Sequence, residues 1–311
     1  MSAGGAEASD ESAGGGFRSG FVSVVGRPNV GKSTLVNQLV GRKVSIVSDR
    51  PQTTRTQVRG VRTNATTQIV LLDTPGIHKP RTLLGERTNS RATTTLGEVD
   101  VICFVIEANQ PIGKGDRYIA EMTQQVRTPV VLVVNKIDRA APAKIAEHLA
   151  VASAELGAPD AFVPVSALTG DGAGVLAAEL EARMPPGPHY YPDGVVSDQP
   201  ESILAAEILR EKLISAMHDE LPHSIAVTTE ELEERETKEG PLLAFRLVIR
   251  VERASQRGIV IGRGASMLRQ AGTDARLELE ALLGVRVHLE THVRVDRDWQ
   301  RRASSLDRLG L

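Results

Sequence analysis

The residues best suited to chemistry lie together near the start of the chain, in the stretch GRPNVGKST. Gly26 is followed by four residues and then by Gly31, Lys32 and Ser33, between a β-type run and a helix-compatible run. In this setting the backbone N–H groups turn toward one point, where a helix N-terminus adds partial positive charge. Lys32 would pair with the β- and γ-phosphates of a nucleotide, and the Ser33 hydroxyl would ligate Mg²⁺. The stretch predicts a phosphate-binding loop formed by Gly26, Arg27, Pro28, Asn29, Val30, Gly31, Lys32, Ser33 and Thr34.

A second motif, residues 73–76 with the sequence Asp-Thr-Pro-Gly, follows an apolar strand. A carboxylate at this strand end is placed to hold Mg²⁺ through a water, and the N–H of the glycine can sense a γ-phosphate. The motif alone is a common turn and carries weight only beside the phosphate loop. The predicted contacts are Asp73, Thr74, Pro75 and Gly76.

The segment Pro51–Arg55 lies between the first helix and the second strand, where a nucleotide-sensing loop belongs. Thr54 is the candidate second hydroxyl ligand of Mg²⁺, and Thr53 is the neighbouring alternative. The plainer interpretation is a polar surface loop. With Thr54, the predicted metal ligands are Ser33, Thr54 and Asp73.

Residues 135–138, Asn-Lys-Ile-Asp, end another apolar strand and indicate which base is bound. The Asp138 carboxylate can accept hydrogen bonds from the ring N–H and the amino group of guanine, neither of which adenine offers. Lys136 would lie along the base plane, and Asn135 would brace the loops. Ser166 and Ala167, in the run Ser-Ala-Leu after the next strand, would offer a backbone N–H to the guanine carbonyl. Four motifs in this order predict a GTPase of the Ras-like translation-factor class.

The position directly after Gly76 departs from the Ras pattern, where a glutamine orients the attacking water; here it is Ile77. We therefore predict slow intrinsic hydrolysis and assign no catalytic residue. His78 is a tempting general base, but a lone histidine in such a loop is more often a surface residue. Asn29 is a further candidate, as a ligand of a monovalent cation such as K⁺ beside the phosphates.

Composition limits the remaining classes of function. The chain has 311 residues, 41% hydrophobic and 24% charged, which favours a globular protein of two domains. A net charge of −2 gives no overall attraction to nucleic acid, so any such surface must be a local patch. A single cysteine, Cys103, leaves no disulfide framework within the chain. With no leader-like segment and no apolar run of about 18 residues, we expect a cytoplasmic protein.

Alternating patterns of strand and helix divide the chain into segments. Residues 1–19 are predicted to be a disordered tail, and residues 20–185 an α/β domain with a mostly parallel, doubly wound sheet. Residues 186–200 contain Pro, Gly and Tyr and predict a linker. Residues 201–311 predict a smaller α+β domain that starts with an amphipathic helix over Glu201–His218.

Charge is segregated within the C-terminal domain. Residues 219–239 hold eight acidic and two basic residues, whereas residues 246–302 hold twelve basic and seven acidic residues. The functional interpretation is a groove that follows a phosphate backbone; the plainer one is a solvated face. The candidate RNA-binding residues surround a glycine loop: Arg257, Gly262, Arg263, Gly264 and Arg269.

The motif order GRPNVGKST, PQTTR, DTPG, NKID and SAL, followed by AAEILREKLISAMHDELPHS and QRGIVIGRGASMLRQAG, resembles the Era family of bacterial GTPases. The resemblance implies a Ras-like domain followed by a type II KH domain, with the order helix–strand–strand–helix–helix–strand. It also implies binding of the 3′ end of small-subunit ribosomal RNA in the GTP-bound state, and assistance in assembly of the 30S subunit. One departure stands out: the KH loop is normally Gly-x-x-Gly, but its fourth residue here is Ala265.

The expected partners are therefore GTP and GDP, small-subunit ribosomal RNA and the 30S subunit, with Mg²⁺ as cofactor and K⁺ as a further candidate. We expect a monomer, with peripheral association at the inner face of the cell membrane left open. The alternative function is a GTPase switch that acts through a protein or a membrane surface, with a C-terminal domain that does not bind RNA.

Overall fold

The N-terminal domain alternates strand and helix in the order that the apolar runs predict. A computed structural model describes residues 16–48, 50, 53–77, 82–217 and 224–311. The strands are β1 (Arg18–Gly26), β2 (Val58–Thr63), β3 (Thr67–Asp73), β4 (Val101–Glu107), β5 (Val130–Asn135) and β6 (Ala161–Pro164). The helices are α1 (Lys32–Val40), α2 (Leu83–Thr95), α3 (Lys114–Gln124), α4 (Pro142–Leu156) and α5 (Ala173–Glu181).

The six strands form one sheet in the order β2-β3-β1-β4-β5-β6, and only β2 runs antiparallel to its neighbour. Apolar clusters cover both faces of the sheet, which explains why β3 and β4 are apolar along most of their length. Cys103 lies in one of these clusters and is fully buried. Because β1, β3, β4 and β5 are parallel, the loops that follow them meet at one edge of the sheet. The phosphate loop, residues 73–76 and residues 135–138 follow β1, β3 and β5, and Ser166 and Ala167 follow β6, which is parallel to β5, whereas Thr54 lies in the loop between α1 and β2.

The start of the domain differs from the prediction. Strand β1 begins at Arg18, inside the segment predicted to be a tail, because the Arg18 amide donates to the Thr66 carbonyl (3.0 Å). Its guanidinium also donates to the Met184 carbonyl at 2.6 Å. Residues 1–15 of the predicted tail lie outside the described residues.

The segment between the domains has no helix or strand but is fixed to the sheet. The Gln68 side chain accepts hydrogen bonds from the Tyr190 and Tyr191 amides, at 2.7 and 3.0 Å, and donates to the Tyr191 carbonyl at 2.9 Å. The ring of His189 stacks on Phe17, with 3.7 Å between ring centroids. Residues 186–200 therefore form an ordered strap across the N-terminal domain rather than a free tether.

The C-terminal domain follows the order predicted from the resemblance. It consists of α6 (Glu201–Ala216), β7 (Ala226–Thr237), β8 (Gly240–Val251), α7 (Ala254–Ile261), α8 (Ser266–Leu283) and β9 (Arg286–Val295), with α9 (Ala303–Arg308) after them. The sheet order is β7-β8-β9, with β7 antiparallel and β9 parallel to β8. An apolar core lies between this sheet and the helices. Within α6, Ile208, Leu209 and Leu213 are buried, as expected for the inner face of an amphipathic helix, whereas Ile203 lies on the outer side and is 44% exposed.

None of the helices within the described ranges combines the length and the apolar character needed to cross a bilayer.

Candidate nucleotide site and RNA-binding surface

The predicted phosphate loop joins β1 to α1, and its glycines are required by close packing. Gly31 has φ 98° and directly precedes α1; a Cβ there would lie 2.3 Å from Asn135 Nδ2. At Gly26 a Cβ would lie 2.5 Å from the Val105 carbonyl oxygen of the neighbouring strand. Any side chain at either position would therefore displace the loop.

Lys32 is the buried cation of this loop. Its ammonium donates to the carbonyls of Gly26 and Arg27, at 3.1 and 2.8 Å. Burial lowers the pKa of Lys32 to about 8, and the negative charge of Asp73 opposes that shift. A buried ammonium held by two neutral carbonyls lacks a full counter-charge, which a phosphate would supply.

Three oxygen-bearing side chains meet beside the lysine. The hydroxyls of Ser33 and Thr54 lie 2.9 Å apart, and the Thr54 hydroxyl lies 3.4 Å from Asp73 Oδ2. Asp73 is fully buried, and its Oδ1 has no hydrogen-bond partner among the described residues. Burial raises the pKa of Asp73, against hydrogen bonding from Ser33 and the charge of Lys32. This donor set of two hydroxyls and one carboxylate suits a hard cation such as Mg²⁺.

Thr53 and Thr54 are the two candidates for the second hydroxyl ligand of the metal, and the positions of their hydroxyls can be compared directly. The Thr53 hydroxyl donates to the Arg50 carbonyl at 2.7 Å, away from Ser33 and Asp73. Only Thr54 of the two shares hydrogen-bonding distance with both other predicted ligands.

The loop after β3 packs against the phosphate loop. A Cβ on Gly76 would lie 2.8 Å from the Pro28 nitrogen, so a glycine is needed for this approach. The Ile77 amide donates to the Gly26 carbonyl (3.3 Å), and the Ile77 side chain is 2% exposed within the core of the domain. It therefore points away from the cavity and cannot orient a water there. His78, the tempting general base, lies outside the described residues.

The base-recognition residues form a second set of contacts. The Asn135 side chain donates to the Val30 carbonyl at 2.8 Å and accepts from the Ala167 amide at 2.9 Å, so it braces two loops as predicted. The Lys136 ammonium donates to the Asn29 carbonyl (2.8 Å) and pairs with Glu107, also at 2.8 Å. These bonds connect the phosphate loop to the end of β4 and to the loop after β5.

Asp138 accepts a hydrogen bond from the Ser166 hydroxyl at 2.6 Å, which fixes its carboxylate. The amides of Ser166 and Ala167, predicted as donors to the guanine carbonyl, both have acceptors within the protein. The Ser166 amide donates to Asp171, and the Ala167 amide to Asn135, because these local acceptors are already in reach. A base oxygen would share the Ala167 N–H with Asn135 or take that of Leu168.

These groups line one cavity of about 480 Å³. Of the predicted contacts, the cavity is lined by Pro28, Asn29, Gly31, Lys32, Ser33, Thr34, Thr54, Gly76, Asn135, Lys136, Asp138 and Ala167. Other predicted side chains face elsewhere: Arg27 pairs with Asp116 at 2.8 Å, Val30 is buried in the core, and the Thr74 hydroxyl donates to the Val24 carbonyl at 2.7 Å. The cavity is not lined by four further predicted contacts, Gly26, Asp73, Pro75 and Ser166.

The predicted RNA-binding residues surround the turn between α7 and α8. Gly262, Gly264 and Ala265 all have positive φ, at 75°, 58° and 61°. Arg269 donates to the Gly264 carbonyl at 3.1 Å. The side chains of Arg257, Arg263 and Arg269 are exposed.

Two groups of arginines in this domain differ in their partners. Those on the sheet are held in ion pairs, such as Arg246 with Glu290 (3.1 Å) and Arg294 with Glu230 (2.8 Å). Within the described part of the chain, the arginines around the α7–α8 turn make no ion pair with a carboxylate. Positive charge that acidic neighbours do not neutralise is therefore concentrated at Arg253, Arg257, Arg263 and Arg269.

Sequence reasoning missed the contacts between the domains. Arg55, Arg210 and Trp299 lie at this junction, all three nearly or fully buried. The available signal was a charged pair, Arg210 and Glu211, between the apolar residues Leu209 and Leu213 of α6.

Comparisons with known proteins agree with this arrangement. A family model described as "50S ribosome-binding GTPase" matches residues 21–136, and one described as "KH domain" matches residues 220–300. A protein named GTPase Era from Mycobacterium sp. (strain KMS) is 50% identical over 297 residues, which cover 94% of this chain and 99% of the relative. The protein of that name from Nocardioides sp. is 52% identical over 300 residues, covering 94% and 96%.

Two solved structures match over the same extent. One is Era in complex with MgGDPNP and nucleotides 1506–1542 of 16S ribosomal RNA; its TM-score is 0.90 at 37% identity, covering 94% of this chain and 99% of that one. The other is a variant of Aquifex aeolicus Era bound to GDP·AlF4⁻, with TM-score 0.90, 36% identity and the same coverage. With half of its residues identical across nearly the full length of its relatives, the chain belongs to the Era family of GTPases.

Proposed function

We propose that this GTPase binds GTP and Mg²⁺ in the cavity described above and ribosomal RNA through the α7–α8 turn, and that it assists assembly of the small ribosomal subunit. The observation that carries the proposal is the meeting of Ser33, Thr54 and Asp73 within one site, beside the buried Lys32. Asp138, fixed by Ser166, supplies guanine specificity at the other end of the cavity.

Small-subunit RNA is the preferred partner for a specific reason. The family model that names the 50S subunit covers only residues 21–136, within the GTPase domain. The solved relative that carries 16S ribosomal RNA matches 94% of this chain, including the KH domain. In the small subunit, RNA of this class would meet the exposed arginines Arg257, Arg263 and Arg269, with the backbone at Gly262 and Gly264 lying close to the phosphates.

Mg²⁺ would be held by Ser33, Thr54 and Asp73, and it would neutralise charge that develops on the β- and γ-phosphates. Since the Ile77 side chain is buried, water for hydrolysis must be oriented by the backbone, by another residue or by a partner, and slow intrinsic turnover follows. We also propose K⁺ beside Asn29; hydrolysis several-fold faster in KCl than in NaCl would support this assignment, and equal rates would contradict it.

We further propose that the protein acts as a monomer in the cytoplasm and that any contact with a membrane is peripheral. The GTPase domain then extends from β1, which begins at Arg18, to residue 185, the strap covers residues 186–200, and the RNA-binding domain covers residues 201–311. The alternative, a switch that acts through a protein or membrane partner, is less favoured, because the solved relative that matches 94% of this chain carries ribosomal RNA.

A binding titration tests the proposal. Purified protein is titrated with a single-stranded RNA that has the sequence of the 16S 3′ end, in the presence of a non-hydrolysable GTP analogue or GDP, from 50 to 300 mM KCl. We expect tighter binding with the GTP analogue and a salt slope of about −2, from three released counterions at ~0.7 each. Equal binding to an unrelated RNA of the same length, or no salt dependence, would contradict the RNA assignment.

A further inference from the structure

The loop between α1 and β2, residues 41–57, belongs to the GTPase domain by sequence but packs against the KH domain. Ile46 is 4% exposed and lies in the apolar core of the KH domain, together with Leu209 and Leu213 of α6. Thr54, the candidate Mg²⁺ ligand, lies near the C-terminal end of the same loop. The α1–β2 loop is therefore shared between the two domains.

Arg210, on α6, is the first of two buried arginines at this junction. It is 1% exposed, and its guanidinium donates to the carbonyl of Thr53, the residue directly before Thr54. The same guanidinium makes two hydrogen bonds to Glu207, which supplies the counter-charge. A buried guanidinium with a compensating carboxylate has a fixed orientation, because losing either contact would leave a charge without a partner.

Arg55, directly after Thr54, is the second. It is 4% exposed and donates to the Ile225 carbonyl at 2.5 Å, just before β7. Its guanidinium carbon lies 5.3 Å from the centre of the Trp299 ring, a cation–π distance. The Trp299 ring is in turn held by its indole N–H, which donates to the Ser224 carbonyl at 3.0 Å.

The start of the loop is held by separate contacts. Lys43 pairs with Glu211 of α6 at 2.6 Å, and it also contacts Glu278 of α8. The Glu211 carboxylate accepts from the Val47 amide at 2.7 Å. The KH domain thus holds the loop on both sides of Ile46 and on both sides of Thr54.

We propose that Arg210 and Arg55 are positioning residues through which the KH domain holds Thr54 at the metal site. The KH domain holds the Thr54 hydroxyl 2.9 Å from that of Ser33, where both can ligate Mg²⁺. This arrangement favours GTP over GDP, because the γ-phosphate completes the coordination of the metal. Docking of the KH domain therefore raises the affinity for GTP relative to GDP, and by linkage GTP favours the docked arrangement. This inference rests on the proposed nucleotide function and names the residues that connect that site to the KH domain.

The test compares nucleotide affinities in an Arg210→Met variant of the full chain, which removes the bond to Thr53 and keeps an apolar stem of similar length. Affinities for a GTP analogue and for GDP are measured by calorimetry with Mg²⁺ in excess. We expect GTP-analogue affinity to fall by roughly 5- to 50-fold, within the usual range of coupling between sites, and GDP affinity to stay within about twofold. The Mg²⁺ concentration needed for half-maximal GTP binding should rise as well.

Glu201→Ala, an exposed change on the same helix, is the matched control and should leave both affinities unchanged. Lys43→Met, at an anchor whose side chain is 26% exposed, is a second test at a less buried cation, and we expect a smaller shift in the same direction. Two results would overturn the inference. One is an equal loss of affinity for GTP and for GDP in Arg210→Met, and the other is a ratio of the two affinities that stays at the wild-type value in both Arg210→Met and Lys43→Met.

The outcomes separate this inference from the proposed function. If the wild-type protein binds GTP with Mg²⁺ and ribosomal RNA but Arg210→Met keeps the full preference for GTP, only the coupling route is wrong. If the wild-type protein binds ATP as well as GTP, or ignores the RNA, the proposed function itself is wrong.

Discussion

The nucleotide cavity and the α7–α8 turn are both built to meet phosphates, but by opposite means. In the cavity, Lys32 and Asp73 are buried, and the polar groups already bond to one another. At the turn, Arg257 and Arg263 are exposed and their charges are not neutralised by neighbouring carboxylates in the described parts of the chain. Burial strengthens each electrostatic contact and fixes its geometry, whereas exposure leaves contacts weak, adaptable and screened by salt.

This difference indicates two kinds of recognition. A single nucleotide with fixed stereochemistry suits the rigid cavity, where one changed atom leaves a buried group without a partner. A flexible RNA strand suits the exposed arginines, where each contact adds a small, largely independent increment. Single substitutions should therefore have large effects in the first region and small ones in the second.

The largest expected effect follows from Lys32→Ala. Removing a buried cation that faces the phosphates should weaken binding of GTP by at least about 3 kcal/mol, or more than a hundredfold. The fold should be retained, because the free protein holds this ammonium against a burial cost that lowers its pKa to about 8. Nucleotide titration and the unfolding curve of the free protein are the measurements.

Lys144→Ala, at a lysine whose side chain is 73% exposed, is the control and should change neither quantity. A Lys32→Ala protein that still bound GTP within tenfold of the wild type would remove the contrast between the two regions.

The next effect is a change of base specificity. In Asp138→Asn, one carboxylate oxygen becomes an N–H₂ donor, which matches the additional carbonyl of xanthine and opposes the amino group of guanine. GTP affinity should fall by about 10- to 100-fold, the cost of one or two mismatched buried hydrogen bonds, and XTP should become the better ligand. Competition between GTP and XTP against a fluorescent analogue measures this; unchanged GTP affinity would place the base elsewhere.

The phosphate loop could be predicted because its residues are contiguous and the strand and helix around it dictate its shape. The mutual bonds of Asn135 could be anticipated for the same reason, since strand ends of a parallel sheet converge. The bond from the Ala167 amide to Asn135 could not be predicted, because whether an amide is engaged depends on a loop 32 residues away. A sequence shows which groups lie near a site but not which of them are hydrogen-bonded to one another in the folded protein.

The pairing of residues across the junction between the domains could not be predicted. Arg55 and Ile225 are 170 residues apart, and nothing in either local sequence marks them as partners. The α6 pattern indicated a helix with one apolar face, but not that the α1–β2 loop would cover part of it or that Ile203 would stay exposed. Long-range pairing of this kind depends on the assembled surface rather than on residue spacing.

At the α7–α8 turn we expect smaller losses that add up. Arg257→Gln and Arg263→Gln should each weaken RNA binding by about 1 kcal/mol, and each should reduce the salt slope by ~0.7. Arg246→Gln is the matched control, because that arginine already pairs with Glu290 on the sheet and should lose little. If Arg246→Gln weakened RNA binding as much as Arg263→Gln, the distinction between the two groups of arginines would fail.

The smallest effect concerns the backbone of the same turn. Ala265 has φ 61°, in the left-handed region that costs a side-chain-bearing residue about 1–2 kcal/mol. In Ala265→Gly that strain is relieved, while the extra freedom of glycine in the unfolded chain costs about 0.4–1 kcal/mol. The net expectation is a gain of roughly 0.5 kcal/mol, because the first difference exceeds the second. Amide exchange in the first turn of α8 should slow accordingly.

Gly264→Ala, at φ 58°, is the reverse experiment and should accelerate that exchange. Since the side chain is also removed beside the phosphate path, Ala265→Gly should hold RNA at least as tightly as the wild type. A glycine that loosened α8 would mean that the turn adopts another backbone conformation in solution.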